Sequence, residues 1–505
     1  MRKTKAIINF IVNIVLYIVL FIPSFLIRKT FLEALGSDIL GLNSLYSNIL
    51  SWLSIVEMGV GAIIIYSLYK PYAQNNEEKV RAYIRFYGKF YRMVGFIMLI
   101  GGIIIMPFLK FLIQGEIDPR LASIGFLLYL FNSVISYMFS NRICILNVAQ
   151  EVYKVTIGTT TSKLLILLLQ FIMLKKNPNF IAFMTIQLLV NIVYYIAINI
   201  YIVIKFPWIN KGKENLKKSE TKPLLKNMKA MFMYKISSLV VYCTDNLIIS
   251  TFLGLSVLAN YTNYQMVISA FQSLIVTGLG GITASIGNLL TNEKDNEQAY
   301  EVHKKIFFII SWMSSFILIS LYNTLNQFIG IWIGKVYLLD NVTLIIILIN
   351  SYVLLMKESV EQFQNGKGLF YQLRYAPLCE AILNFILSVI LVRRIGLLGI
   401  FIGTLVSHMV VTFWTKPYIV YKYVFKMNIV IYFKLYIKYL LLALIPLVVT
   451  NYMTIPVKEN YTILSFIANC FINIVAINLI YLVIFYRTSE FKYYYGLIKK
   501  VRINN

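Results

Sequence analysis

Residues 35–48 read LGSDILGLNSLYSN, and residues 253–266 read LGLSVLANYTNYQM. An apolar run carrying Gly59 and Gly61 follows the first stretch, and then NEEKVRAY, ending at Tyr83. A run carrying Gly278 and Gly280 follows the second, and then NEKDNEQAY, one residue longer and ending at Tyr300. Three matches in the same order at an offset of roughly 218 residues mark an internal repeat.

Composition says what each copy is made of. Hydrophobic residues make up 59% of the 505 and charged ones 13%, with a mean hydropathy of +0.74. A soluble chain carries about a quarter charged residues. Apolar runs of about 18 residues or more recur along the chain, each able to cross a hydrocarbon layer roughly 30 Å thick. Within hydrocarbon the backbone must satisfy itself, which leaves helices and closed barrels. These runs are continuous, whereas barrel strands alternate over about ten residues.

The expected fold is therefore an all-α polytopic membrane protein with about 14 transmembrane helices. They centre on residues 7–27, 39–68, 93–113, 121–146, 153–174, 180–204, 231–253, 257–290, 306–333, 341–363, 376–392, 397–420, 431–450 and 461–486. The second and eighth are too long for a straight span and are expected to tilt, kink or protrude. The basic start of the chain lacks a small-residue cleavage site and reads as the lead into an uncleaved first helix.

A repeat of six helices keeps its direction through the membrane. The expectation is two six-helix lobes, 1–205 and 230–425, related by a pseudo-two-fold along the membrane normal. Residues 206–229 form a basic cytoplasmic linker, and 426–505 add two helices and a cytoplasmic tail. A cytoplasmic amino terminus places roughly 36 of the 47 basic residues inside, so both termini are expected in the cytoplasm. The formal charge of +26 reflects that bias, and no nucleic-acid partner is expected. Cys144, Cys243, Cys379 and Cys470 fall in spans without metal spacing and are assigned to packing.

Charges inside spans carry the functional signal, because each costs about 2.5 to 3.5 kcal/mol near the bilayer centre. Glu57 lies in SWLSIVEMGVGAIIIYSL (51–68), and Lys163, the deepest cation by this reading, in VTIGTTTSKLLILLLQF (155–171). Lys163 is read as a substrate or cavity contact, or as half of a structural pair. Arg28 is placed at the outer end of the first helix, where snorkelling is the plain alternative. Arg142 is placed near the inner end of the fourth, where topology alone is enough. Arg374 is placed at an inner mouth after Lys357, Glu358 and Glu361, where mutual ion pairing is expected. Glu57 is open to three roles: neutralising Lys163 or Arg28, binding a coupling H+ or Na+, or hydrogen-bonding to the other lobe. Asp245 poses the same choice and falls near Arg28 in the repeat, which suggests an outer latch between them.

Asn43, Ser47, Ser51, Ser54, Glu57 and Gly61 recur at steps of three or four and share one face, with Leu45, Ile49 and Leu53 on the other. In EKVRAYIRFYGKFYR (78–92), Arg81, Arg85, Lys89 and Arg92 share a face and Val80, Ile84, Tyr87 and Tyr91 lie near the other. That segment is expected on an anionic leaflet, with diphosphate collection as a second role. GKG at 366–368 lacks the spacing of a phosphate loop.

RKTFLEALGSDILGLNSL (28–45), IVEMGVGAIIIYSLYKPYA (55–73) and TDNLIISTFLGLSVLANY (244–261) together resemble Wzx-type polysaccharide flippases of the MOP superfamily, which also includes MATE exporters and lipid II flippases. The resemblance implies a monomeric, non-enzymatic transporter of the bacterial cytoplasmic membrane. It would export undecaprenyl-diphosphate-linked oligosaccharide repeat units to the outer leaflet by alternating access, for cell-surface polysaccharide assembly. Its implied partners are the lipid-linked glycan, anionic lipids and other polysaccharide-assembly membrane proteins, with no cofactor or metal. Arg28, Asn43, Ser54, Glu57, Arg142, Lys163, Asp245 and Arg374 are the candidate substrate or cavity residues.

A MATE-type drug exporter is the nearest rival. Its usual acid in the first helix is missing from AIINFIVNIVLYIVLFIPSFLI (6–27). A lipid II flippase would share fold and carrier. A membrane glycosyltransferase or polymerase would need larger outer loops and a catalytic neighbour for His303 or His408.

Overall fold

The computed structural model describes residues 2–57, 60–113, 117–212, 214–290, 296–369 and 371–503; Gly59 and the side chain of Cys243 lie outside that description. The described elements are helical, with no strand among them. The long helices are α1 (Arg2–Leu53), α2 (Val60–Ala73), α3 (Glu77–Ile105), α4 (Pro119–Phe139), α5 (Val152–Lys176), α6 (Phe180–Lys205), α7 (Lys218–Phe252) and α8 (Leu255–Leu289). They continue with α9 (Asn296–Trp332), α10 (Asn341–Lys367), α11 (Ala376–Ile395), α12 (Leu397–Phe425), α13 (Val430–Lys458), α14 (Ile463–Phe485) and α15 (Ser489–Ile503). Ten of the described helices are long and apolar enough to cross a bilayer, so this is a multi-pass membrane protein.

The first helix does not close at Arg28. It runs on to Leu35 and breaks at Gly36, whose φ of 83° and ψ of 172° disfavour any residue with a Cβ. Phe31 and Tyr46, on either side of the break, both pack on Phe180, with ring centroids 6.3 and 6.4 Å away. A straight helix could not bring both to one ring, so the chain turns sharply at Gly36. A second irregularity comes at the end of α1, where Ser54–Glu57 tightens into a 3₁₀ turn before α2. The second span is thus kinked.

The chain divides into two compact units, Met1–Ala259 and Asn260–Asn505. Positions aligned by the repeat share structural roles. Gly254, aligned with Gly36, also has a positive φ, 95°. Tyr46 and Tyr264 are both fully buried. The Tyr46 hydroxyl donates to Ala122 O (2.5 Å) near the start of α4, and the Tyr264 hydroxyl accepts from Leu339 N (3.0 Å) just ahead of α10. Asp118 and Asp340 cap the same two helices, accepting from Arg120 N and Thr343 N.

Within the first unit the turns at Gly36 and Gly254 meet. Ser256 Oγ donates to Ser37 Oγ at 2.9 Å, and Gly41 passes so close that a Cβ there would sit 2.0 Å from Leu255 O. In the second unit α13 and α14 are bound to α9 by buried amides. Asn323 Nδ2 donates to Thr450 Oγ1 (3.0 Å) and Asn473 Oδ1 (2.7 Å), while Asn469 Nδ2 donates to Gln327 Oε1 (2.9 Å). Polar contacts of this kind hold helices together in lipid, where apolar burial does not. The last two helices are therefore built into the second unit.

Gly41→Ala forces a methyl group onto a backbone carbonyl that has no rotamer to give. We expect a loss of about 1 to 3 kcal/mol, read as a lower melting temperature of the purified protein in detergent. Ala substitution at Gly496, where a Cβ meets open space, serves as the neutral control.

Candidate functional site

Glu57 ends the 3₁₀ turn and opens onto a cavity of about 240 Å³ in the first unit, lined also by Tyr87, Tyr91, Ser136, Tyr137, Asn147 and Tyr195. The Tyr91 hydroxyl donates to Glu57 Oε1, and Tyr137 lies against both Glu57 and Ser54. Tyr87 and Tyr91, one turn apart on α3, stack edge to face at 4.1 Å. Gly61 leaves them room: a Cβ there would stand 3.2 and 3.3 Å from their hydroxyl oxygens. Among the described residues Glu57 has no salt bridge, so Lys163 does not neutralise it as the sequence reading allowed. Hydroxyls from its own unit hold the carboxylate.

A second cavity, of about 200 Å³, lies about one turn nearer the start of α3. Arg81, Arg85 and Arg92 recur at helical spacing with Gly88 among them, on the stripe beside the tyrosines. Gly88 lets the 140–144 turn come close: a Cβ there would be 2.8 Å from Asn141 Nδ2. That approach brings in Arg142, which donates from Nη2 to Asn210 Oδ1 at 3.1 Å. The linker crosses the mouth of this cleft. Arg81 Nε donates to both Glu214 oxygens at 3.1 Å, and Lys89 Nζ donates to Asn215 Oδ1 at 3.1 Å. The cleft thus sets four guanidinium groups against one carboxylate. Guanidinium forks match phosphate oxygens in a bidentate way. The arginine face of 78–92 is turned toward the linker, an arrangement that its periodicity alone did not reveal.

The other candidates scatter. Lys163 is exposed, yet it shares the sector of α5 that holds buried Thr160, Ile166, Gln170 and Leu174, opposite Ile157, Leu165, Leu168 and Ile172. It therefore points into open space on the packed side of the helix, away from the broad apolar face. Arg28 is half-buried beside Ile27 and Phe31. Asn43 is half-buried on the polar stripe, and Ser47 on the same stripe is exposed, while Leu42, Leu45 and Ile49 are buried. Asp245 is half-buried beside Asn246, which donates to Asn48 Oδ1 at 2.8 Å. Arg374 does not join the expected ion-pair cluster. It is exposed and stacks over Tyr371 and Tyr375, 3.7 and 4.6 Å from their ring centroids.

In the second unit Lys357 and Glu361 pair as expected, and Lys416 and Glu380, which the sequence reading missed, join the ion pairs. Glu361 accepts from Lys416 and lies 3.6 Å from Lys357. His408, at the start of a π-helical turn His408–Thr412, pairs through Nδ1 with buried Glu380. His408 thus has an acidic neighbour that its sequence context did not disclose. Glu380 and Lys416 were visible as charges inside apolar runs, and that signal could have flagged them. Cys379, assigned to packing, is exposed.

Two outcomes follow. Tyr91→Phe leaves a partly buried carboxylate short of a donor and should cost about 1 to 3 kcal/mol in a melting experiment. In a Glu57→Gln background the same change should cost less, giving a measurable coupling. The Arg81 guanidinium holds the Glu214 carboxyl down at about 2. A depressed carboxyl keeps its ion pair at every pH above its ordinary range and loses it only as pH falls toward that value. Hydrogen exchange of residues 207–217, corrected for intrinsic rate, should therefore stay level from pH 5 to 8 and quicken with added salt.

No protein-family model matches the chain, and no curated protein matches it. Solved structures do. A lipid II flippase, MurJ, in an inward closed conformation aligns with a TM-score of 0.69 at 15% identity, over 96% of this chain and 99% of that one. An inward-facing multidrug resistance MATE family transporter of the MOP superfamily aligns at 0.61 and 14% identity, over 76% of this chain and 90% of that one. A MOP superfamily transporter from Pyrococcus furiosus aligns at 0.52 and 13% identity, over 81% of this chain and 91% of that one. The chain has the fold of the MOP-superfamily transporters and flippases.

Proposed function

We propose that the chain is a flippase that moves undecaprenyl-diphosphate-linked oligosaccharide repeat units from the inner to the outer leaflet of a bacterial plasma membrane by alternating access. The arginine cleft is the observation that carries this reading. A lipid-linked glycan presents a diphosphate whose negative charge must leave the headgroup region, and four guanidinium groups on one short stretch of surface suit that charge. A cationic drug would meet repulsion there, which disfavours the exporter reading.

On the proposed orientation, with both termini in the cytoplasm, the linker and the cleft face the inner leaflet, where such substrates are made. Deeper along α3 the Glu57 cavity, with its tyrosine and serine hydroxyls, offers hydrogen-bond partners for sugar. Lys163 is proposed as a second cation on the substrate path. The opening motifs resemble polysaccharide flippases and add the glycan class.

A lipid II flippase is the second reading. One observation favours it over drug export: the lipid II flippase aligns along nearly the whole of this chain, whereas the MATE structure covers about three quarters.

Deletion of the gene should make lipid-linked repeat units accumulate on the inner leaflet while lipid II stays at its normal level. Accumulation of lipid II instead would select the second reading, and sensitivity to cationic dyes alone would sink both. Complementation by an Arg85→Gln, Arg142→Gln double variant should fall at least about tenfold, since each charge-assisted hydrogen bond contributes about 1.5 to 3 kcal/mol.

A further inference from the structure

Glu214 is an unusual occupant for an arginine cleft in a transporter. It comes from the linker, far from α3 in sequence, and places its carboxylate on Arg81 at the mouth of the cavity. Gly212 has a φ of 94°, which disfavours any residue with a Cβ, and the Glu214 carboxylate lies against it, 2.4 Å from where a Cβ would stand. The contact is also shallow. The Glu214 side chain keeps 29% of its surface exposed, against 12% for Arg81.

The rest of the cleft is left with cations. Arg92 Nε donates to Gly88 O (3.1 Å), and Arg142 donates to the neutral amide of Asn210. Among the described residues Arg85 has no salt bridge. Glu214, with Glu77 3.7 Å from the same Arg81, thus covers one end of a four-arginine row. A carboxylate and a phosphate offer a guanidinium the same pair of oxygens, but a phosphate has more of them and a larger charge.

We infer that the cleft is a binding site for a phosphate or diphosphate group, and that the linker keeps it closed with Glu214 as a resident stand-in until such a group displaces it. A ligand held by Arg85 and Arg142, which make no salt bridge among the described residues, competes with Glu214 for Arg81, and on winning it releases Glu214 and Asn215 from the cleft. The linker therefore reports occupancy: closed over an empty cleft, displaced from a filled one. No proton is needed, because the carboxylate stays ionised throughout the neutral range. This deepens the flippase reading and rests on it only for the identity of the natural ligand.

The test uses the full-length chain in lipid nanodiscs, with inorganic pyrophosphate as the soluble probe. Nanodiscs containing undecaprenyl diphosphate, or phosphatidylglycerol alone, supply the membrane sources. Glu214→Gln should bind pyrophosphate about two- to fivefold tighter than the unaltered protein, the size expected when an exposed ion pair ceases to compete. Arg85→Gln with Arg142→Gln should weaken it at least tenfold in a protein that still melts cooperatively without ligand.

Pyrophosphate binding that is unchanged or weaker in Glu214→Gln would overturn the proposal. So would equal binding by the double arginine variant, or a shift confined to phosphatidylglycerol. The same shifts with undecaprenyl diphosphate assign the site to the lipid carrier, and shifts with pyrophosphate alone assign it to a soluble ligand. Because binding is read without transport, a cleft that behaves as stated in a strain where no lipid-linked intermediate accumulates would leave this inference standing and remove the flippase reading.

Discussion

A charge or an amide inside hydrocarbon must be met by another polar group, and this constraint organises both units. In the first, the Glu57 carboxylate is held by the Tyr91 hydroxyl. In the second, Glu361 is met by Lys416 and Lys357, and Glu380 by His408. The amides of Asn323, Asn469, Asn473 and Gln327 answer one another across two helices, and Asn323 also reaches Thr450 on a third. Leaving any of these groups alone would cost several kcal/mol in lipid, more than most apolar contacts return there. Buried polar pairs therefore fix which helices become neighbours, and the apolar surface adapts around them.

The same rule separates the parts that support the fold from the parts open to a ligand. In the second unit Glu361 is paired with Lys416 and Lys357, and buried Glu380 with buried His408. In the first unit's cleft Arg81 and Arg85 are half-exposed and Arg92 exposed, and the arginines lining it outnumber the one carboxylate in its lining. An excess of one sign beside a cavity is a binding surface in a way that a closed ion pair is not. Two stripes on a single helix, offset by one residue, divide the work. Val80, Ile84, Tyr87 and Tyr91 turn inward to pack and to hold Glu57, and Arg81, Arg85 and Arg92 line the cleft beside them.

Much of the scaffold was legible in the sequence because its causes are local. Apolar runs marked helices, and the Leu-Gly pairs at 35–36 and 253–254 marked the turns where positive φ now appears. The polar stripe from Asn43 to Glu57 and the two stripes of α3 followed from helical periodicity. The pairings did not follow. Arg81 meets a carboxylate 133 positions away, and Glu57 meets a hydroxyl 34 positions away, and nothing local announces either. Even Arg28, read as closing the first helix, was misplaced because the true stop is the glycine eight positions later. Sequence periodicity tells which face a side chain shares, and only packing tells what that face meets.

The internal repeat shows how a pairing can be recognised as a unit all the same. Residues that build the scaffold recur across the register: Gly36 with Gly254, Tyr46 with Tyr264, Asp118 with Asp340. The residues of the first unit's cavities do not. Where the first copy has Glu57, the second has the apolar Ile275 and Val276. At the register set by Tyr83 and Tyr300, Tyr91 becomes Phe308, and Arg81, Arg85 and Arg92 become Gln298, Val302 and Ile309. The carboxylate and the hydroxyl that serves it are absent together, as they must be if a tyrosine hydroxyl buried without the acid would itself go unanswered. The arginine row is lost in the same copy. Two copies that share the glycine turns and the aspartate caps at 118 and 340, yet differ at each of these polar positions, locate the cavity chemistry in the first unit.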